Sequence, residues 1–198
     1  MHSFWMRILM VASRRHILAT AGAAVSAGVA LAAMGPRGGV SARPSRRRKV
    51  AIWRDWATRF VTETGRVLDT GNGNISHSEG QGTALMAAVW AGERAVFDRV
   101  LRWTDEVLFD AQNGLYHWRY DPASGPAITD PNNATDGDLM IAWGLWQAGQ
   151  QWDDELLRAR ALVLIQSIFD QLARPFGDGL VLLPGRMGFE REDGLVLN

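Results

Sequence analysis

The chain has 198 residues, 47% of them hydrophobic, with nine Trp and no Cys. That length suits one globular domain. The lack of Cys excludes a disulfide framework or a thiolate metal site, and four scattered His (His2, His16, His77, His117) do not make a zinc cluster. The formal net charge is zero, yet residues 1–42 hold four Arg and no acid. The remainder carries 17 basic against 21 acidic residues, a net −4 that argues against a nucleic-acid partner.

Residues 1–42 have the layout of an export signal. A basic segment precedes a mildly apolar run over residues 17–34, and small residues follow. Ser13-Arg14-Arg15, with Ile17-Leu18 just behind, resembles a twin-arginine signal, which sends folded proteins across the bacterial inner membrane. Val40-Ser41-Ala42 fits a small-x-small cleavage site, making Arg43 the expected mature N-terminus. A membrane anchor is the alternative. The apolar run barely reaches the spanning minimum of about 18 residues and is poor in Leu, Ile and Phe. Arg46-Arg47-Arg48-Lys49 on its far side also opposes a simple positive-inside orientation. The expected location is therefore periplasmic or secreted, with membrane contact only during export.

Residues 43–49 read as a basic linker. Ile52, Trp53, Trp56, Phe60 and Val61 then recur at helical spacing and predict a helix over 50–64. A Gly/Asn-rich loop covers 66–75. Helices are expected over 79–91, with Gly92 as its stop, and over 94–109. A long irregular segment, 110–133, is rich in Pro, Gly, Asp and Asn. Loops of that length tend to be functional. Further helices are expected over 136–148, closed by Gly149, and over 154–173. The tail, 176–198, is Gly-rich with two short apolar runs, "GLVLLPG" and "GLVLN". Strand signals are weak throughout, so the expected class is all-α, built from helical hairpins. The chain stops just after an apolar run, which reads as a truncated product.

Two helix starts are acidic. In "ISHSEGQG", Glu79 is a candidate proton donor, but Ser76-x-x-Glu79 and Ser78-x-x-Gln81 each also fit a capping box. In "DPNNATDGDLM", Thr135 can cap, and Asp136 and Asp138 fall in the first turn, where the helix dipole favours acids. The short joint after 79–91 makes helix 94–109 return. Helix 136–148 can then start parallel to helix 79–91, bringing both acidic starts to one rim. Tyr116, Trp118 and Tyr120 lie close by in the sequence order. Rings that stack on sugars and a pair of carboxyl groups suggest glycosidic hydrolysis. A general acid must hold its proton near neutral pH, whereas a helix N-terminus favours the ionised form. Burial of Glu79 beside Asp136 is the expected remedy, since desolvation and a like charge both raise a carboxyl pKa.

These motifs resemble glycoside hydrolase family 8. "SEGQG" (78–82) is similar to the stretch bearing that family's general acid, which maps to Glu79. "ATDGDLMIAWGLWQAGQQW" (134–152) resembles its signature, with Asp136 as the active-site Asp. "GLYHW" (114–118) resembles the segment with a substrate-stacking Trp, here Trp118. "LLPGRMGF" (182–189) looks most like the glucanase encoded alongside bacterial cellulose synthase, which implies association with such a system. Position 83 is Thr where the family usually has an aromatic, and Gly144 and Trp146 also depart from the signature. The resemblance covers about residues 50 to 198. It implies an (α/α)6 toroid, of which this chain holds the N-terminal half, and inverting hydrolysis of internal β-1,4 bonds in a glucan such as cellulose. Glu79 would act as general acid, Asp136 would hold the central sugar, and the general base would lie beyond Asn198. Trp118, Tyr116, Gln81 and Asp138 are the expected substrate contacts; no cofactor and no metal are implied. The alternative is a non-catalytic glucan-binding or scaffold protein that keeps the cleft.

Overall fold

The structure is a computed structural model; it describes residues 45–197, which belong to a compact unit spanning Arg43–Asn198. The expected export signal and the first part of the basic linker lie outside the described residues. Five helices follow in order among the described residues: α1 (Arg46–Phe60), α2 (Ser78–Ala91), α3 (Arg94–Val107), α4 (Thr135–Gln151) and α5 (Glu155–Leu172). Eight strands of two to four residues, β1 (Ser76–His77), β2 (Phe109–Asp110), β3 (Leu115–Tyr116), β4 (Arg119–Tyr120), β5 (Ala173–Phe176), β6 (Gly179–Leu182), β7 (Glu190–Arg191) and β8 (Gly194–Leu195), make four two-stranded pairs. The all-α expectation holds for the scaffold, and the strands only shape its loops.

Helix α1 begins four residues earlier than expected. Ser45 caps it by accepting from the Arg48 N–H, so most of the basic linker is its first turn. Arg and Lys are good helix formers, and a capping Ser in front of them outweighs their charge. The helix ends at Phe60, because the chain folds back there and the Leu68 N–H returns to the Phe60 carbonyl. Trp53 is its buried anchor, stacked at 5.4 Å on Trp56.

Helix α2 stops where Gly92 takes the left-handed conformation (φ 77°), as expected. Helix α3 returns antiparallel, burying Phe97, Val100, Leu101 and Trp103. Helix α4 runs through Gly149 to Gln151, so Gly149 is not a stop. A Cβ at 149 would come within 2.9 Å of the Arg158 nitrogen and the Asp154 carbonyl oxygen, so this glycine serves a close crossing with α5. Helix α5 is capped by Asp154, whose side chain accepts from Leu157. Arg94 ties the two hairpin turns together through Asp154 at 2.9 Å.

Helices α2 and α4 are parallel and level. A Cβ on Gly82 would lie 2.6 Å from the Met140 Cβ and 3.0 Å from the Ile141 nitrogen. One on Gly137 would lie 2.9 Å from the Glu79 nitrogen, and one on Gly144 would lie 3.0 Å from the Leu85 Cβ. Three glycines thus set the axes too close for any side chain between them, with 137 beside 79, 140 beside 82 and 144 beside 85. Leu85, Phe97, Ile141, Leu145, Ile168 and Leu172 fill the core on either side of this seam.

Candidate active site

The level seam puts the first turns of α2 and α4 side by side, and with them Glu79 and Asp136. Both residues are exposed. The shared rim drawn from the sequence is therefore present. Burial of Glu79 is not: residues 45–197 leave it open to solvent, because nothing among them covers this face of the seam. Neither expected capping box forms. His77 is the N-cap residue of α2 and makes no side-chain cap bond. Ser76 Oγ instead donates to the Val67 carbonyl at 2.6 Å, and Ser78 Oγ is buried without a partner where Gly137 passes. Thr135 does not cap α4 either; its hydroxyl donates to the Leu183 carbonyl, fastening the tail across the helix start.

Three of the four expected substrate contacts have no surface to offer a ligand, a correction that follows from their burial. Gln81 is fully buried: its carbonyl accepts from the Val67 N–H at 2.6 Å, and its amide donates to Thr104 Oγ1 at 2.8 Å and to the Gly65 carbonyl. Tyr116 is 3% exposed, with its hydroxyl donating to Asp105 at 2.9 Å. Burial and the Asp105 charge push that phenol well above its ordinary range, and Arg160 holds Asp105 with two bonds from the other side. Asp138 is also fully buried. It accepts from the Tyr116 N–H at 2.9 Å and from Asn133 Nδ2 at 2.8 Å, while Asn133 Oδ1 accepts from Arg186 N. Gln81 and Asp138 satisfy loop backbone inside the core, where an unpaired group would cost about 1–3 kcal/mol, whereas the Tyr116 hydroxyl pairs with the Asp105 carboxylate.

Burial acts on the Asp138 carboxyl in favour of its protonated form. Desolvation raises its pKa from an ordinary 3.8 to about 7, against the bonds from Asn133 and Tyr116 and helped by the nearby Asp136 charge. Between about pH 4 and pH 7 the folded chain thus holds a proton that the unfolded chain has lost. The contribution of this group to stability is complete below pH 4 and is lost as pH rises to about 7, by at most roughly 1.4 kcal/mol per pH unit. Denaturant titrations from pH 4 to pH 8 should show this slope. Asp138→Asn should abolish it and lower stability at every pH, because one amide oxygen cannot serve both donors.

Trp118 remains at the rim as expected. Strand β4 pairs with β1, Ser76 opposite Tyr120 and His77 opposite Arg119, and β1 runs directly into α2. The Ser78 N–H therefore donates to the Trp118 carbonyl at 3.1 Å, placing this half-buried indole beside the turn that carries Glu79. Its Nε1–H donates to Asp130 at 2.8 Å, and the His77 ring lies nearly parallel to it, 6.2 Å away at 11°. Sequence reasoning missed both partners. Asp130 also accepts from the Asn132 N–H two residues on, so in sequence it reads as an ordinary turn residue.

The structure is thus an all-α scaffold of stacked helical hairpins that carries two carboxylates and a clamped indole at one rim. Residues 26–198 match the model of the glycosyl hydrolases family 8, and the chain belongs to that family. The match starts upstream of Arg43, inside the segment read as an export signal. The chain is 43% identical over 146 residues to the endoglucanase of Cellulomonas uda, covering 74% of this chain and 41% of that one. It is 36% identical to a probable endoglucanase of Novacetimonas hansenii, covering 75% and 44%. Among solved structures, the family 8 endoglucanase Cel10 of Klebsiella pneumoniae superposes with a TM-score of 0.72 at 41% identity, covering 73% of this chain and 47% of that one. The endo-β-1,4-glucanase CMCax of Acetobacter xylinum gives 0.74 at 34%, covering 78% and 48%. The chain spans less than half the length of these relatives.

Proposed function

We propose that this chain is the N-terminal half of an (α/α)6 toroid that hydrolyses internal β-1,4 bonds of a glucan with inversion. Glu79 is the general acid, Asp136 holds the central sugar, and the general base is supplied by chain outside these residues. The observation that carries the reading is the glycine seam, which sets Glu79 and Asp136 level on one open rim beside Trp118. The endoglucanase relatives support the substrate class. The same seam exposes Leu139 and Trp143 on α4 and Trp90 on α2, large apolar groups that suit cover by further helices. Such cover would also supply the desolvation that a protonated Glu79 needs.

A non-catalytic glucan-binding protein is the second reading, favoured by Thr83, which stands exposed on α2 one turn beyond Glu79. Carboxymethylcellulose separates the two. A version extended to the family's full length should release reducing sugar; retention on a glucan affinity gel without release supports the binding protein, and neither release nor retention sinks both. Export by the twin-arginine route, and action beside a cellulose synthase, belong to the same proposal. N-terminal sequencing of periplasmic protein should begin at Arg43, and an intact residue 1 there would count against cleavage.

A further inference from the structure

We infer that His77 and Asp130 are positioning residues for the Trp118 indole, and that together they set how a glucan chain lies across Glu79. The inference rests on the glycan reading of the rim. Three independent contacts reach this one ring. The Asp130 carboxylate takes the Nε1–H at 2.8 Å, which fixes rotation of the ring in its own plane. The His77 ring, nearly parallel at 6.2 Å, fixes its tilt. The Arg119 guanidinium lies 5.9 Å from the ring centroid, and Arg119 is itself tied to Asp121 at 3.0 Å. A half-buried indole ordinarily samples more than one rotamer; this one is left little freedom, so a sugar that stacks on it pays less ordering entropy.

The two positioning residues are themselves built in. His77 Nε2 lies 3.6 Å from an Asp69 oxygen. Asp69 is the centre of the Gly/Asn-rich loop: its carbonyl accepts from Asn72 and Asn74, and its other carboxylate oxygen accepts from Gly71. Asp130 is held in its own Asx turn by the Asn132 N–H, and Asn132 in turn binds the backbone of Met187 in both directions. His77 is also the residue from which α2, and so Glu79, starts. The loop 66–75, the loop 110–133 and the acid are therefore joined through one ring. The Gly/Asn-rich loop, which carries no chemistry of its own, gains a role as the support for His77.

Cellohexaose binding to the version extended to the family's full length, carrying Glu79→Gln as the parent so that the ligand is not cleaved and read by calorimetry, tests the inference beside the indole Nε1–H resonance of Trp118. Trp118→Ala assigns that resonance and should weaken binding at least tenfold. Asp130→Ala and His77→Ala should each weaken binding about threefold to tenfold, the range of a lost ring contact or hydrogen bond, and should shift or broaden the Trp118 signal. Asp130→Asn, which keeps an acceptor, and His77→Phe, which keeps a ring, should stay within about twofold of the parent, as a ring contact or hydrogen bond retained in kind predicts. Parental affinity and an unmoved signal in both alanine variants, with Trp118→Ala still impaired, would overturn the positioning role and leave the glucan reading standing. No binding by the parent, or parental binding by Trp118→Ala, would overturn the reading on which the inference rests.

Discussion

Gly137→Ala is expected to destabilise the fold by about 2–3 kcal/mol, although alanine is the better helix former. In an open helix interior this change gains about 1 kcal/mol. Here the new methyl would meet the Ser78 Cβ at 2.8 Å and the Glu79 nitrogen at 2.9 Å. Backbone on one side and a buried seryl side chain on the other leave no flexible group to give way, and overpacking of this kind costs about 1–3 kcal/mol or more. The clash therefore outweighs the propensity gain. Gly82→Ala, against Met140 and the Ile141 nitrogen, should behave alike. The pair should be less than additive, because the shift that relieves one relieves the other. Gly80→Ala is the control on the same turn: its methyl would only touch a Val67 methyl at 3.8 Å, so it should be neutral or stabilising. In a chain of this size the expected loss corresponds to a fall in Tm of roughly 4–12 °C. Unchanged melting in Gly137→Ala would mean that the two acidic helix starts are not locked together as described.

That seam explains which parts of the molecule were legible in the sequence. Periodicity found all five helices, because each has a one-sided apolar face or a continuous buried run. It also gave the parallel pairing of α2 with α4, since a two-residue joint forces α3 to return. It missed the start of α1, where charge masked a good helix former behind a Ser cap. It misassigned Gln81, Tyr116 and Asp138. Their residue types and their nearness to the acids fit a binding surface, but Gln81 and Asp138 serve as internal hydrogen-bond partners of the long loops, and the Tyr116 hydroxyl is turned inward to Asp105. A sequence does not mark which polar groups point inward when their hydrogen-bond partners lie fourteen to twenty-three positions away, as with Gln81 and its donor Val67 or its acceptor Thr104. For the same reason Asp130 was invisible as a partner of Trp118, twelve positions off.

Glu79→Gln, in a version that carries the rest of the family's domain, is expected to lower reducing-sugar release by about 10²- to 10⁴-fold, the usual worth of a general acid. Glutamine keeps the shape and has no proton of the needed acidity to give. The change should leave glucan retention close to parental, because the proposed mechanism assigns binding to Trp118 and Asp136 rather than to the leaving-group proton. The competing account, that Glu79 serves only to start α2, makes the opposite pair of forecasts: release intact and stability lowered by about 1 kcal/mol. The structure already removes the geometry that account requires. The side chains of Ser76 and Ser78 do not face the α2 amides as caps, and the Ser78 N–H is taken by the Trp118 carbonyl. The Glu79 carboxylate makes no hydrogen bond or ion pair among the described residues. What remains for a structural role is its charge at the helix dipole, about 0.3–1 kcal/mol at an exposed position. Release and melting together therefore decide the question. A large fall in release with a Tm within about 3 °C of the parent, the shift that about 1 kcal/mol makes in a chain of this size, marks a proton donor. Full release by Glu79→Gln would end the case for Glu79 as the acid whatever its melting temperature.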